Sequence, residues 1–170
     1  MKINLAIGVL CLLLAQCCSA QQIPNRLISY PAFLENARQA EAVRESRRLT
    51  EEQFLQAMSE PGVVLLDARS ASKFKLRHLK GAVNLSLPDF TADELAKIIP
   101  AKNTKVLIYC NNNFLGSPAS FPSKAPGASL NISTFVNLTT YGYTNVYELG
   151  PLVDVKTTEL PFEGDEVFNR

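Results

Sequence analysis

The sequence predicts a single α/β domain built on a central parallel sheet with helices on both faces. Three observations carry that expectation. Two short runs, "VVLLD" (63–67) and "KVLIYC" (105–110), are apolar without alternation, as strands buried on both faces of a parallel sheet are. The segments around them have helical spacing with matching start and stop signals. Strand-like and helix-like segments then alternate along the chain, the order that βαβ units require. A length of 170 residues suits one domain, and 46% hydrophobic against 19% charged residues is ordinary globular composition.

Taken in order, residues 1–20 come first. "MKINLAIGVLCLLLAQCCSA" has a single Lys2, an apolar run from Leu5 to Ala15 and a small-residue exit at Ser19-Ala20. That is the layout of a secretory signal, with an apolar run too short to span a bilayer comfortably. Cleavage after Ala20 ranks above a lipid anchor on Cys17, because Gln16 is bulky for the residue before a modified cysteine. The expectation is an exported protein, periplasmic or secreted, with no membrane span. Residues 21–47 form a polar arm in which Phe33, Leu34, Ala37, Ala40 and Val43 approach helical spacing, as for a helix laid on the domain.

The main domain is read as residues 48–165, with 166–170 as a C-terminal tail. In "LTEEQFLQAMSEPG", Thr50 and Gln53 stand as a capping box, Leu49 and Phe54 as its hydrophobic staple, and Pro61-Gly62 as the stop. After the strand at 63–67, Ser70 caps a short helix through Phe74 and Leu76, and "GAVNLSL" (81–87) gives a second strand. "FTADELAKIIP" repeats the helix device with Thr91 and Glu94 as the box, Phe90 and Leu95 as the staple and Pro100 as the stop. The third strand is "KVLIYC". "ISTFVNLTTYG" places Ile132, Phe135, Val136 and Leu138 on one helical face before a Gly142 cap, and "NVYELG" (145–150) is the fourth strand.

Charge and cysteine counts narrow the function. Without residues 1–20 the chain keeps 16 basic and 16 acidic residues, so it has no electrostatic footprint for nucleic acid or an anionic membrane. Cys11, Cys17 and Cys18 leave with that segment and Cys110 remains alone. An exported protein with one thiol makes no internal disulfide, so Cys110 is either buried and inert or kept for chemistry. It lies at the carboxyl end of a predicted parallel strand, where ligand sites of such sheets collect. The following Asn111, Asn112, Asn113, Phe114, Leu115 and Gly116 open a loop of small or amide-bearing residues. Its backbone N–H groups can curl into a nest that favours thiolate at a partly accessible sulfur. On position and composition alone, a nucleophile and a small apolar residue closing a buried strand are equal readings.

Four motifs in order then resemble the rhodanese-like domain over roughly residues 48–165. They are Asp67-Ala68-Arg69 at a strand exit, His78-Leu79-Lys80-Gly81-Ala82 at a turn, the strand-end Cys110, and Gly142 through Tyr147. The resemblance implies sulfurtransferase chemistry. Cys110 would take sulfur from a small sulfane-sulfur donor, hold it as a persulfide and pass it to a thiol or other nucleophilic acceptor, with no metal and no organic cofactor. Loop N–H groups would stabilise the persulfide anion. Asp67, Arg69 and His78 match family positions whose role is structural support. The chain departs from the family in its loop, which runs more than a dozen residues longer and carries no charge between Cys110 and Lys124. That predicts weak use of thiosulfate and little or no phosphatase activity, with Lys124 either the displaced loop cation at the substrate or, ranked above that, a solvated surface lysine. The rival expectation is a catalytically weak or inactive binding module that meets a protein partner through the long loop and the arm.

Overall fold

The structure, a computed structural model, describes residues 23–168; the signal-like segment 1–20 lies outside the described residues. Its centre is a five-stranded sheet. Strand β1 is Arg48–Leu49, β2 Val64–Asp67, β4 Val83–Asn84, β5 Val106–Tyr109 and β7 Val146–Leu149. Their order is β1-β7-β5-β2-β4 with every neighbouring pair parallel. The register sets Leu65 beside Leu107 and Leu66 beside Ile108. Because successive side chains point to opposite faces, the apolar runs feed two cores at once. Leu66, Val106 and Ile108 enter one, and Leu65, Leu107 and Tyr109 enter the other.

Helices cover both faces, as the sequence predicts. On the first lie α1 (Tyr30–Arg44), α4 (Ala92–Ile98) and α5 (Leu130–Thr140), through Ala40, Leu95, Phe135, Val136 and Leu138. On the second lies α2 (Glu51–Met58), through Phe54 and Ala57. The Thr50–Gln53 capping box is closed in both directions, at 3.2 and 3.0 Å. At α4 the box is half made. Thr91 Oγ1 accepts from the Glu94 N–H at 3.1 Å, but the Glu94 carboxylate turns to Lys97, one turn on, where a charged partner is in reach. Ser70 precedes α3 (Ala71–Leu76) without a side-chain cap and meets the Ser72 hydroxyl instead. Gly142, at φ +83°, closes α5 in a Schellman motif. Its N–H donates to Thr139 O, and that of Tyr143 to Leu138 O.

Several elements have no counterpart in the sequence reading. The run 81–87, expected as a whole strand, is one only at Val83–Asn84; the Leu85 N–H continues the contact to Asp67 O and that of Leu87 reaches Ala68 O, beyond β2. Strand β1 extends the sheet at its edge beside β7. Two small ribbons flank the sheet: β3 (His78–Leu79) with β9 (Phe162–Glu163), antiparallel, and β6 (Phe114–Leu115) with β8 (Val153–Asp154), parallel. The described part of the expected tail is fixed as α6 (Asp165–Phe168). Glu166 Oε2 accepts from Ser117 Oγ at 2.7 Å and Ser120 Oγ at 2.6 Å, tying the chain end to the long loop after Cys110.

That tie is pH-dependent. The Ser120 hydroxyl, then Ser117, Arg77 and Lys73, hold the Glu166 carboxyl below its usual 4.5. A depressed folded value means that its contribution is complete above the ordinary carboxylate range and is lost as pH falls through the lowered value. Urea denaturation at a series of pH values should show wild type more stable than Glu166→Gln at neutral pH. The gap should close on acidification. A gap independent of pH would place the stabilisation elsewhere.

Candidate active site

Cys110 follows directly on β5, the middle strand of the sheet, and begins a 3-10 turn over Asn111–Asn113. The Asn113 backbone N–H donates to Cys110 O at 3.2 Å and, in a capping-box arrangement, lies on the same side as Cys110 Sγ. The Asn113 side chain is fully committed. Its Oδ1 accepts from the Cys110 N–H at 2.9 Å and from Asn131 Nδ2 at 3.0 Å, and its Nδ2 donates to Leu149 O at 2.8 Å and Pro151 O at 3.1 Å. One carboxamide thus joins the ends of β5 and β7 to the start of α5. Ser129, just before α5, brings its hydroxyl to 3.3 Å from the sulfur.

The other loop residues are placed differently from the expectation. Asn111 donates to Pro122 O at 2.7 Å, and Asn112 exchanges two bonds with the Lys124 backbone, at 2.8 and 2.9 Å. These amides clamp the long loop; Asn112 also lines the cleft beside Cys110, whereas Asn111 does not. Phe114 is not in the loop at all. It is buried among Tyr109, Phe121 and Phe162, because its aromatic surface belongs to the core below β6. Leu115 pairs with β8, and Gly116, at φ +83°, packs where a Cβ would stand 2.7 Å from Asp154 Oδ1. Neither lines the cleft beside Cys110. Lys124 is exposed, and its side chain does not line that cleft either.

The cations at the sulfur come from outside the loop. A cleft of about 210 Å³ is lined by Cys110, Asn112, Asn113 and Ser129 on one side, and by Arg44, Arg48 and Glu148 on another. Glu148, 1% exposed, takes Arg44 in a two-pronged contact, Nη2 at 2.6 Å and Nε at 3.2 Å, and Arg48 Nε at 3.2 Å. Burial pushes its carboxyl above the ordinary range, against the pull of Arg44 and Arg48. The sequence held two signals for this group. "RESRR" holds Arg44 and Arg48 four positions apart, and "VYELG" places an acid inside a buried strand, where it needs a partner. Cys110 itself is 1% exposed. The expected partial accessibility is not observed, because the long loop folds back and sets Pro126 and Ser129 beside the sulfur.

Asp67, Arg69 and His78 brace the frame from the sheet's other side. Arg69, buried, grips both Asp67 oxygens (2.5–3.1 Å) and donates to Ser120 O at 2.8 Å and Arg77 O at 2.7 Å. Tyr109 donates its hydroxyl to Asp67 at 2.6 Å; burial and the Asp67 charge hold that phenol protonated, well above its usual range. Arg69 therefore pins the long loop to the exit of β2. His78 stacks on Phe74 and bonds Phe74 O through Nδ1 at 2.8 Å. It does not line the Cys110 cleft. Among the described residues, no group of three or more His, Cys, Asp or Glu side chains is placed to hold a metal ion.

Comparison with known proteins bears on the same elements. The family profile of the Rhodanese-like domain matches residues 50–150. Among solved structures, an NMR structure of the rhodanese-like domain of an Anabaena protein superposes with a TM-score of 0.52 at 19% identity, covering 73% of this chain and 83% of that one. A thiosulfate sulfurtransferase from Pseudomonas aeruginosa aligns at 21% identity and a TM-score of 0.49, over 69% of this chain and 20% of that one. No curated protein matches.

The Asn113 carboxamide makes a direct prediction. Asn113→Ala strips partners from the Cys110 N–H, Asn131 Nδ2 and two carbonyls, and unpaired buried groups cost about 1–3 kcal/mol each. Urea denaturation should show Asn113→Ala destabilised by about 3 kcal/mol. Asn112→Ala, an exposed clamp, should lose less than about 1 kcal/mol. Equal losses would mean that the joint is not where the stability resides.

Proposed function

The chain belongs to the rhodanese-like domain family, and from that premise we propose that it is a sulfurtransferase carrying sulfane sulfur on Cys110 as a persulfide. The observation that carries this reading is the sulfur's setting. It stands at the carboxyl end of the central strand, lining a cleft, with the Ser129 hydroxyl at 3.3 Å and the Asn113 N–H, bonded to Cys110 O, turned to the sulfur's side. Both groups can donate to an anionic sulfur, the arrangement that stabilises thiolate and persulfide.

In the reaction, the Cys110 thiolate attacks the outer sulfur of a donor R–S–SH. The donor's S–S bond breaks, RS⁻ leaves with the electron pair, and Cys110 becomes Cys–S–SH. An acceptor thiolate then attacks that outer sulfur, forming R′–S–SH and returning the Cys110 thiolate. Entry requires the exposed 123–128 stretch beside the sulfur to yield. Weak use of thiosulfate and little or no phosphatase activity belong to the same reading, because Arg44 and Arg48 turn toward Glu148 and neither presents a free two-pronged face to phosphate. Export through residues 1–20 belongs to the same proposal, and N-terminal sequencing of the mature protein tests it by looking for a start at Gln21 or Gln22.

The burial of Cys110 favours a second reading, a binding module that keeps the fold without turnover. Intact-mass analysis after exposure to sulfane donors separates the two. Wild type should gain one sulfur, Cys110→Ser should gain none while keeping its denaturation midpoint, and cyanide should remove the added sulfur. A wild-type protein that never gains sulfur from any donor would hand the function to the binding module.

A further inference from the structure

The charge around Cys110 points to what the donor looks like, on the premise that Cys110 carries sulfur. We propose that Arg44 and Arg48 form a carboxylate-binding subsite for an organic thiol or persulfide whose apolar body lies in the groove between α1 and α5. Two guanidiniums meet one buried carboxylate at the cleft, so the wall keeps one net positive charge. Glu45, which also touches Arg48, sits on the rim with its side chain 83% exposed, and solvent screens it. One excess charge suits a monoanion. A small dianion would leave a negative charge uncompensated beside Glu148.

Donors are available for that anion. Arg44 commits Nε and Nη2 to Glu148, which among the described residues leaves Nη1 for a ligand, while Arg48, engaged by Glu148, Glu45 and Gly150 O, supplies the excess charge. The space also suits an organic body. Arg44 and Ile132 line both the Cys110 cleft and a groove of about 510 Å³ whose apolar wall is Leu34, Ala37, Ala40 and Val136. The groove's charged lining residues Arg38, Glu41 and Glu45 are exposed. Ile132, at the helical spacing of a core residue, is 36% exposed because it faces this groove. The groove's volume falls in the range of small-molecule sites, of roughly 300–1,000 Å³. The buried Asn131 Oδ1 beside the cleft has no hydrogen-bond partner, an acceptor that an S–H or N–H of such a ligand would satisfy.

The test uses a matched pair of donors: N-benzoylcysteine persulfide and its carboxamide counterpart, with thiosulfate as the inorganic comparison. Gain of one sulfur on Cys110 is followed by intact mass. The carboxylate donor should load at least about tenfold faster than the carboxamide, the scale of one charge-assisted hydrogen bond. In Arg48→Gln that ratio should fall toward one. Glu148 keeps its two-pronged Arg44 contact in this variant, and a ratio measured on one sample does not depend on how much of it is folded. A wild-type ratio near one, a ratio unchanged in Arg48→Gln, or faster loading from thiosulfate than from either organic donor would overturn the subsite.

If no donor loads, the sulfurtransferase reading falls and the subsite is judged by binding. N-benzoylcysteine, as the thiol, is then titrated into Cys110→Ser and followed by NMR. Tighter binding than the carboxamide, with shifts at Arg44, Arg48 and Val136, would uphold the subsite by itself. Equal affinities or no binding would remove it.

Discussion

The Asn113 carboxamide is the joint on which the site depends. A parallel sheet leaves the carboxyl ends of its strands as separate loops, and something must hold those loops in one geometry. Here a single side chain uses both lone pairs and both N–H bonds on four partners. It fixes the Cys110 backbone, and with it the turn that begins at the sulfur. Because the carboxamide is buried, each bond is costly to leave unmade, and no solvent competes for it. The neighbouring asparagines do related work at longer range, holding Pro122 and Lys124 so that the long loop closes over the cleft.

A second constraint is the buried charge of Glu148. A carboxylate taken out of water in the middle of a sheet needs partners, and Arg44 and Arg48 are supplied by the arm helix and the edge strand. The same contacts therefore attach the arm and charge the cleft. The arm is part of the site, and not only a cover for the apolar residues of α5. The buried pair of Asp67 and Arg69 plays a separate role at β2, where Arg69 carries the long loop on its remaining donors.

The fold was legible in the sequence wherever local signals and burial agreed. Unbroken apolar runs at 63–67 and 105–110 are hard to place anywhere but in a two-sided sheet, and Thr50 with Gln53 specifies a helix start by geometry alone. The location of Cys110 at a strand's carboxyl end was legible for the same reason. Its surroundings were not. Chain proximity suggested that Phe114 and Lys124 would stand near the sulfur, yet Phe114 is drawn into the core and Lys124 faces solvent. Arg44 and Arg48 lie more than sixty positions before Cys110, and the packing of α1 on α5 together with the pairing of β1 with β7 brings them there. Long-range pairing of an edge strand two residues long leaves almost no trace in periodicity. The absence of a charged residue in the loop thus said little about the charge at the cleft.

A sulfurtransferase needs a sulfur atom that moves, not merely one that is well housed. Burial of Cys110 gives it a protected setting, and the adjacent donors suit an anion, but a carrier must also release its cargo. The most direct measurement is a single turnover with isotope-labelled sulfur. Cys110 is loaded, the excess donor removed, and an acceptor thiol added while protein and acceptor are both followed by mass. The label should leave the protein and appear on the acceptor in equal amount, restoring the unmodified Cys110. Label that stays on the protein, or that is lost without reaching the acceptor, would contradict the account.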